Sequence, residues 1–236
     1  MSKTVKIVIG AALVVVLAGG AGVWYFVLRD TAEKTATLDA IGGTTGSTAG
    51  GPAKATPDGK WKVQQADGVF VGYRMQELFA AASVKKTATG RTPAVEGTMT
   101  VAGTTVSDVT VKADVTKLKS DEDRRDAQVR NRGLETAKIG EASFKLTSPI
   151  TLPSAPAANA EMTMTAKGEL TLHGVTKPVE VPLKATWTGS QIKVATSGEG
   201  LPIVLADYNI EKIDVGGFVT IDDHGSLELQ LLFVPA

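Results

Sequence analysis

The stretch Met162–Trp187, MTMTAKGELTLHGVTKPVEVPLKATW, carries the clearest indication of the fold. Apolar residues occupy every second position at its two ends, namely Met162, Met164 and Ala166 in the first run and Val179, Val181, Leu183, Ala185 and Trp187 in the second. A period of two places alternate side chains on opposite faces of a β-strand. Each run therefore predicts a strand with one dry face and one wet face, as in an antiparallel sheet.

The same alternation recurs on both sides of this stretch. One run has Val109, Val111, Ala113 and Val115 on a single face, and the last run has Leu227, Leu229, Leu231 and Phe233. Turn-forming residues mark hairpin candidates at Ala102-Gly103, Thr188-Gly189-Ser190 and Asp222-Asp223-His224-Gly225. Eight to ten short strands with this spacing predict a closed barrel or a sandwich.

Three local features depart from plain alternation. The segment Ser120–Leu134 predicts a short helix over Arg124 to Arg132, with Ser120 as its cap, acidic residues in its first turn and Gly133 at its end. A shorter helical turn is predicted around Glu77 to Ala82. Pro182 lies inside an alternating run, which predicts a sheet edge, a bulge or a strand end there.

The N-terminal region predicts a membrane anchor. Residues Ile7 to Leu28 contain no charged side chain, and as a helix they would extend about 33 Å, enough to cross a bilayer core of about 30 Å. Lys3 and Lys6 precede the run, so the amino terminus is expected in the cytoplasm and the rest of the chain outside. The alternative is a signal peptide cleaved among Ala18 to Ala21, which would also export the chain.

The sequence divides into three parts on this reading. Residues 1–29 are the predicted transmembrane anchor, residues 30–57 a flexible linker rich in Gly, Thr, Ala and Ser, and residues 58–236 a single β-barrel domain. The linker has almost no large apolar side chains, so we expect it to bury no core of its own. The domain is then tethered close to an extracytoplasmic membrane surface.

Charge and composition exclude several classes of function. The chain has 25 Lys and Arg against 25 Asp and Glu, which argues against a nucleic-acid-binding protein. It has no cysteine, so thiol catalysis, disulfides and cysteine-ligated metals are excluded. Its two histidines, His173 and His224, are too few for a multi-histidine metal site. We predict neither a metal nor a covalent cofactor.

Four stretches resemble the YceI-like domain family. The most specific is Gly168–Val179, GELTLHGVTKPV, which is similar to the family's G-x-L-T-L-H-G-V-T-[KR]-x-V signature. The others are Arg125-Asp126 with the helix that follows, Glu141–Phe144, and Asp222–Glu228. Two departures occur: Ala66–Arg74 lacks the His-Ser pair of many members, and Gly140 replaces a usual proline.

The resemblance implies a lipocalin-like antiparallel β-barrel of about eight strands, with one or two short helices, that binds a long apolar molecule. A polyisoprenoid, an isoprenoid quinone or a fatty amide is the expected ligand. The residues expected to line the barrel are Phe70, Tyr73, Phe144, Met162, Met164, Leu170, Leu172 and Trp187. Arg124 and Arg125 are candidates for a ligand head group, although ion pairs that tie the helix to the barrel are the favoured interpretation.

Two functions of different class remain open. The first is a membrane-tethered lipid-binding protein, and the alternative is a structural or envelope-stress interaction module whose barrel is filled by its own side chains. An enzyme is not expected, because neither a nucleophile with its base nor a metal-binding motif accompanies His173. We expect His173 to bond nearby backbone and His224 to lie at a polar hairpin tip. Oligomeric state is left open.

Overall fold

A computed structural model describes residues 31–42, 54–80, 83–215 and 217–236. Within these ranges thirteen strands form one antiparallel sheet: β1 Gly59–Val63, β2 Phe70–Phe79, β3 Val84–Thr92, β4 Val95–Ala102, β5 Thr105–Asp114, β6 Glu141–Leu146, β7 Ile150–Thr151, β8 Glu161–Leu172, β9 Val175–Trp187, β10 Ile192–Thr196, β11 Leu201–Val204, β12 Asp214–Val215 and β13 Val219–Pro235. The α-helix, α1, spans Asp123–Gln128 and continues as a π-helical turn over Val129–Gly133. Short 3-10 turns follow β5 and β11, at Val115–Lys117 and Leu205–Tyr208.

Eight strands close the sheet into a barrel. Neighbours around the ring run β1, β4, β5, β6, β8, β9, β10 and β13, and β13 returns to pair with β1. The 17-residue β13 is long enough to pair with β1 near its end and with β2 over most of its length. Closure removes exposed sheet edges from the ring. An antiparallel barrel of about eight strands, as predicted, is confirmed.

The predicted alternation sorts side chains between the inside and the outside of the barrel. The inward set of β13, Leu227, Leu229, Leu231 and Phe233, lines the interior. Its neighbours Glu228 and Gln230 point outward, although both are buried there. Two predicted hairpins are confirmed, since Ala102-Gly103 joins β4 to β5 and Thr188–Ser190 joins β9 to β10.

The third predicted hairpin is wrong. Asp222–Gly225 lies within β13, where the register to β2 shifts between Ile221 and Gly225. Polar residues and a glycine suit a β-bulge as well as a turn, so their composition alone did not separate the two. Pro182 lies inside β9 at the point where the pairing with β10 stops, and its carbonyl accepts from the Ser197 amide. This agrees with a predicted sheet edge and not with a strand end, since β9 continues to Trp187.

The helical predictions are partly confirmed. The helix lies where expected and ends after Gly133, but its cap is Glu122, whose carboxylate accepts from the Arg124 amide. Ser120 instead donates to Asp126 on the helix. The helical turn predicted around Glu77 to Ala82 is wrong for Glu77 to Phe79, because these residues belong to β2 and pair with Val84 to Lys86.

Residues 31–42 are not a free linker, which corrects the prediction for this part of 30–57. Ala36, Leu38 and Ile41 are buried against the barrel exterior, and Ala36 and Thr37 donate backbone hydrogen bonds to Glu228 and Gln230. Three apolar side chains of modest size, together with hydrogen bonds from backbone amides to the Glu228 and Gln230 side chains, hold this segment although it contains no helix or strand. Its composition, poor in large apolar residues, gave no indication of this packing. We call residues 31–42 the strap. Residues 43–53 of the predicted linker lie outside the described residues.

The predicted anchor, residues 1–29, also lies outside the described residues. Among helices in the described ranges, none has the length and apolar character needed to span a bilayer.

A divided apolar cavity as candidate functional site

The interior of the barrel holds two cavities. One, of about 160 Å³, lies beside the helix, and we call it the helix-side cavity. The other, of about 90 Å³, is bordered by Pro57, Leu152 and Pro156, and we call it the loop-side cavity. Both are lined by Val111, Phe144, Val181 and Leu229, so they adjoin at this level of the barrel.

The walls of the helix-side cavity come from strands and from the segments that cover one end of the barrel. The strands supply mainly aliphatic residues, among them Ala113, Leu170, Leu172, Leu201 and Ile203, and the covering segments supply Val129, Leu134, Leu205, Ile210 and Ile213. Cavities of about 150 Å³ lined by such side chains stay dry and bind small apolar molecules. The space is therefore suited to an apolar group.

Two aromatic rings in the interior lie against glycines of the neighbouring strands. Phe144 on β6 covers Gly168 on β8, where a Cβ atom would lie 2.6 Å from Phe144 Cε2. Tyr73 on β2 covers Gly90 on β3, where a Cβ atom would lie 2.6 Å from Tyr73 Cζ. Gly168 opens the signature stretch GELTLHG, and its missing side chain leaves room for the Phe144 ring, which lines both cavities.

A buried ion pair anchors the helix near the helix-side cavity. Arg125 donates from Nε and Nη2 to the two carboxylate oxygens of Glu77, at 2.7 and 2.9 Å, and it also bonds Asp121. Burial alone would lower the pKa of Arg125, but the hydrogen bonds and charges of Glu77 and Asp121 raise it overall. Arg125 is thus engaged with protein carboxylates, in line with the favoured structural interpretation of this cluster.

Tyr73 is the polar residue that enters the helix-side cavity from β2. Burial raises the pKa of its hydroxyl well above the usual value, and the charge of Arg125 lowers it only in part. The hydroxyl therefore stays protonated and neutral at physiological pH. Asp126 follows Arg125 in the stretch Arg125-Asp126 that resembles the family. Its carboxylate accepts hydrogen bonds from the backbone amide and the hydroxyl of Ser120.

Seven of the eight residues predicted to line the barrel border the cavities. Tyr73, Leu170 and Leu172 line the helix-side cavity, Met162, Met164 and Trp187 the loop-side cavity, and Phe144 both. Phe70 does not, because β2 turns Val71, Tyr73 and Met75 inward and Phe70 outward. The guanidinium of Arg91 lies 3.9 Å from the centroid of the Phe70 ring. The backbone amide of Arg124, the other head-group candidate, donates a hydrogen bond to the Glu122 carboxylate.

Sequence reasoning missed the cavity walls contributed after β10. Leu201 and Ile203 alternate in β11, a short pattern that was visible, whereas Ile210 and Ile213 lie outside any strand and gave no periodic signal. They reach the cavity because the chain after β11 folds over the end of the barrel through the 3-10 turn and the left-handed residue Asn209.

The two histidines are part of local structure. His173 has a φ of 49° and precedes Gly174 with a φ of 74°, so the two form the tight turn between β8 and β9. Its Nδ1 lies 3.1 Å from the Tyr208 carbonyl oxygen, as expected for a turn histidine bonding backbone. His224 is exposed at the β13 bulge, with Nδ1 2.6 Å from Asp223 Oδ1.

Comparison with known proteins agrees with this architecture. The family model of the YceI-like domain matches residues 61–233. The UPF0312 protein VPA0850 of Vibrio parahaemolyticus is 30% identical over 125 residues, which cover 50% of this chain and 61% of that protein. The chain thus aligns with about three-fifths of that relative's length.

Two solved structures share the fold. The polyisoprenoid binding domain from Saccharophagus degradans, implicated in plant cell wall breakdown, superposes with a TM-score of 0.57 at 18% identity and covers 75% of this chain and 98% of its own. BcnA of Burkholderia cenocepacia superposes with a TM-score of 0.53 at 18% identity and covers 72% and 98%. These two similarities show the fold, and the match of the family model over residues 61–233 shows that the chain belongs to the YceI-like domain family.

Proposed function

We propose that this protein is an extracytoplasmic, membrane-tethered binding protein that holds an apolar, isoprenoid-like lipid inside its barrel. The observation that carries the proposal is the unfilled apolar interior, with cavities of about 160 and 90 Å³ separated at the level of Phe144. A structural module with a self-filled barrel, the alternative, would need no such space. The similar domain from Saccharophagus degradans is described as polyisoprenoid binding, which supports the same ligand class here.

The energetics suit a chain-like ligand. Each CH₂ group moved from water into an apolar site contributes about 0.8 kcal/mol, so ten groups contribute about 8 kcal/mol before the costs of association. A ligand longer than one cavity would pass between them at the level of Val111, Phe144, Val181 and Leu229, which line both. A chain with branching methyl groups matches walls made mainly of Val, Leu, Ile and Met.

The proposed location rests on the sequence. The uncharged run Ile7–Leu28, preceded by Lys3 and Lys6, would hold the barrel at the outer face of a membrane. A binding role, rather than catalysis, is proposed because the surface that both cavities expose is almost wholly apolar. An isoprenoid lipid or quinone would be bound without a covalent link.

The test is the content of the purified full chain. Organic extraction followed by mass spectrometry should recover an apolar lipid in near-stoichiometric amount from the wild type. The variant Ala113→Phe, which projects a ring into the helix-side cavity from β5, should carry little of it. Its matched control Lys112→Phe places the same ring on the outer face and should retain the lipid. Equal lipid content in both variants, or none in the wild type at saturating added geranylgeraniol, would overturn the proposal.

A further inference from the structure

One end of the barrel exposes two large apolar side chains. Across the described ranges, the large hydrophobic residues that are exposed are Leu78, at 39%, and Phe218, at 72%. Both lie at the same end of the β2–β13 pair, since Leu78 pairs with Thr220 and the Ala80 amide donates to the Phe218 carbonyl oxygen at 3.0 Å. A single exposed apolar side chain is ordinary, whereas neighbouring ones indicate a contact surface. We call Leu78 and Phe218 the apolar tip.

The strap runs along the outer face of the barrel toward the apolar tip. Gly42, its last residue, donates from its amide to the Asp67 carbonyl oxygen, which lies before β2 begins. The Glu33 carbonyl oxygen accepts from Arg74, midway along β2. From residue 42 back to residue 33, the strap therefore follows the direction of β2, whose far end carries Leu78.

The first residue of the strap continues on this course. Thr31 donates to the carboxylate of Asp121, which also accepts from Arg125. Arg125 in turn binds the carboxylate of Glu77, the residue before Leu78 in β2. The uncharged run of the predicted anchor ends at residue 28, and the three residues from there to Thr31 extend at most about 10 Å. A membrane that holds the anchor would therefore lie at the end of the barrel that carries the apolar tip.

The charged side chains beside the tip have both signs. Lys85 is exposed and pairs with Leu78, and Lys212 and Asp222 border the same surface groove as these two. Such a mixture suits the headgroup region of a bilayer, where charged groups stay hydrated while apolar side chains reach the acyl boundary. Apolar insertion, rather than attraction to anionic lipid, is the contact that this surface favours.

We propose that the apolar tip is a membrane-contact surface, with Leu78 and Phe218 entering the boundary between headgroups and acyl chains beside the predicted anchor. The inference rests on the membrane tether of the proposed function and gives the tethered barrel an orientation. Met75 and Ile221, which line the helix-side cavity, lie within three residues of Leu78 and its partner Thr220. The helix-side cavity is then at the membrane-facing end of the barrel, and the loop-side cavity is at the far end.

The experiment uses the absence of cysteine, because a nitroxide label on one introduced cysteine then reports a single position. The labelled variants are Val14→Cys in the predicted anchor, Lys85→Cys beside the tip and Ala158→Cys, an exposed position at the far end, where the next residue bonds the Trp187 carbonyl oxygen. Each is made in the full chain and reconstituted at one chain per phosphatidylcholine nanodisc.

Power-saturation EPR measures the access of oxygen and of a water-soluble nickel chelate to each label. Position 14 should favour oxygen, position 158 should favour the chelate, and position 85 should admit far less chelate than position 158. Phe218→Ser in the Lys85→Cys background should restore chelate access, since burial of a Phe side chain favours the inserted state about ten- to hundredfold. The matched variant Phe218→Trp keeps a large ring and should leave position 85 shielded.

The outcomes separate the tip from the tether. If position 14 is shielded while position 85 admits the chelate as freely as position 158, or if Phe218→Ser changes nothing, the tip inference is overturned and the tether stands. Shielding of position 85 only in nanodiscs that hold two chains would assign the tip to a second copy and would also overturn the inference. If position 14 admits the chelate, the proposed tether fails, and the inference with it.

Discussion

The two faces of β13 have opposite surroundings. Inward, Leu227, Leu229, Leu231 and Phe233 border space that the chain leaves unfilled. Outward, Glu228 and Gln230 are buried under the strap, and the hydrogen-bonding groups around them are paired. The side chains of the inner face thus border free space, whereas those of the outer face are held by specific hydrogen bonds.

Glu228 is the centre of the outer face. Its carboxylate receives Arg91 Nη2 at 2.8 Å, has Arg74 Nη1 at 3.7 Å and accepts from the Ala36 amide at 3.2 Å. Arg74 also donates to the Glu33 carbonyl oxygen at 2.6 Å. One buried carboxylate therefore joins β13, β2, β3 and the strap. The contrast shows that β13 is fixed on its outer face by polar contacts and is apolar on its inner face.

The largest effect is expected from breaking the outer face. Glu228→Ala leaves Arg91 and Arg74 without their buried partner, and removal of one member of a buried ion pair costs about 3–5 kcal/mol. Urea unfolding of the full chain should show that loss. The control Glu180→Ala removes an exposed pair with Lys167, expected to contribute about 0–1 kcal/mol. Equal losses in the two variants would contradict the role given to Glu228.

The next effect tests the inner face. A Cβ atom at residue 168 would lie 2.6 Å from Phe144 Cε2 and 2.5 Å from the Lys145 carbonyl oxygen. Gly168→Ala must therefore displace the ring and the strand, at a cost of about 1–3 kcal/mol. Gly133→Ala, whose Cβ would meet Ile213 Cδ1 at an ordinary 3.4 Å, is the control and should change the unfolding free energy little. An unchanged stability in Gly168→Ala would show that the ring has room elsewhere.

The smallest effect concerns the attachment of the strap at low pH. Burial raises the pKa of Asp121, but hydrogen bonds from Thr31 and Arg125 outweigh it and hold this pKa below its usual value. A lowered folded-state pKa adds stability above the unfolded value of about 3.9, and this stability is lost as pH falls through the folded value. Urea midpoints measured from pH 6 down to pH 2 should therefore fall less steeply in Asp121→Asn. If the urea midpoints of the wild type and of Asp121→Asn fall in parallel with pH, Asp121 does not contribute to the pH dependence of stability.

The barrel could be predicted because its signals are local. Alternation in β8, β9 and β13 and the signature around His173 depend on residues close in sequence. The strap could not be predicted, since Ala36, Leu38 and Ile41 become a core contact only when Glu228 and Gln230, almost 200 positions later, supply acceptors. Phe70 was assigned inward because hydrophobicity alone does not reveal which face of β2 is inside.

The site was predictable in kind but not in detail. Met162, Met164 and Trp187 were expected in a lining role, and they border the loop-side cavity. The position of the Phe144 ring in the walls of both cavities depends on Gly168 in a neighbouring strand. This contact is a product of three-dimensional packing, which no spacing in the sequence encodes.

Lipid binding in the barrel interior is best tested by the thermal unfolding midpoint of the full chain, measured with and without geranylgeraniol. A ligand at one hundred times its dissociation constant stabilises the folded state by about 2.7 kcal/mol, which corresponds to a rise of about 5–10 °C for a domain of this size. If the barrel interior is a lipid site, this rise should occur in the wild type and in Lys112→Phe, and it should be lost in Ala113→Phe. A wild-type midpoint that stays unchanged at saturating geranylgeraniol would show that the barrel interior is not a lipid site.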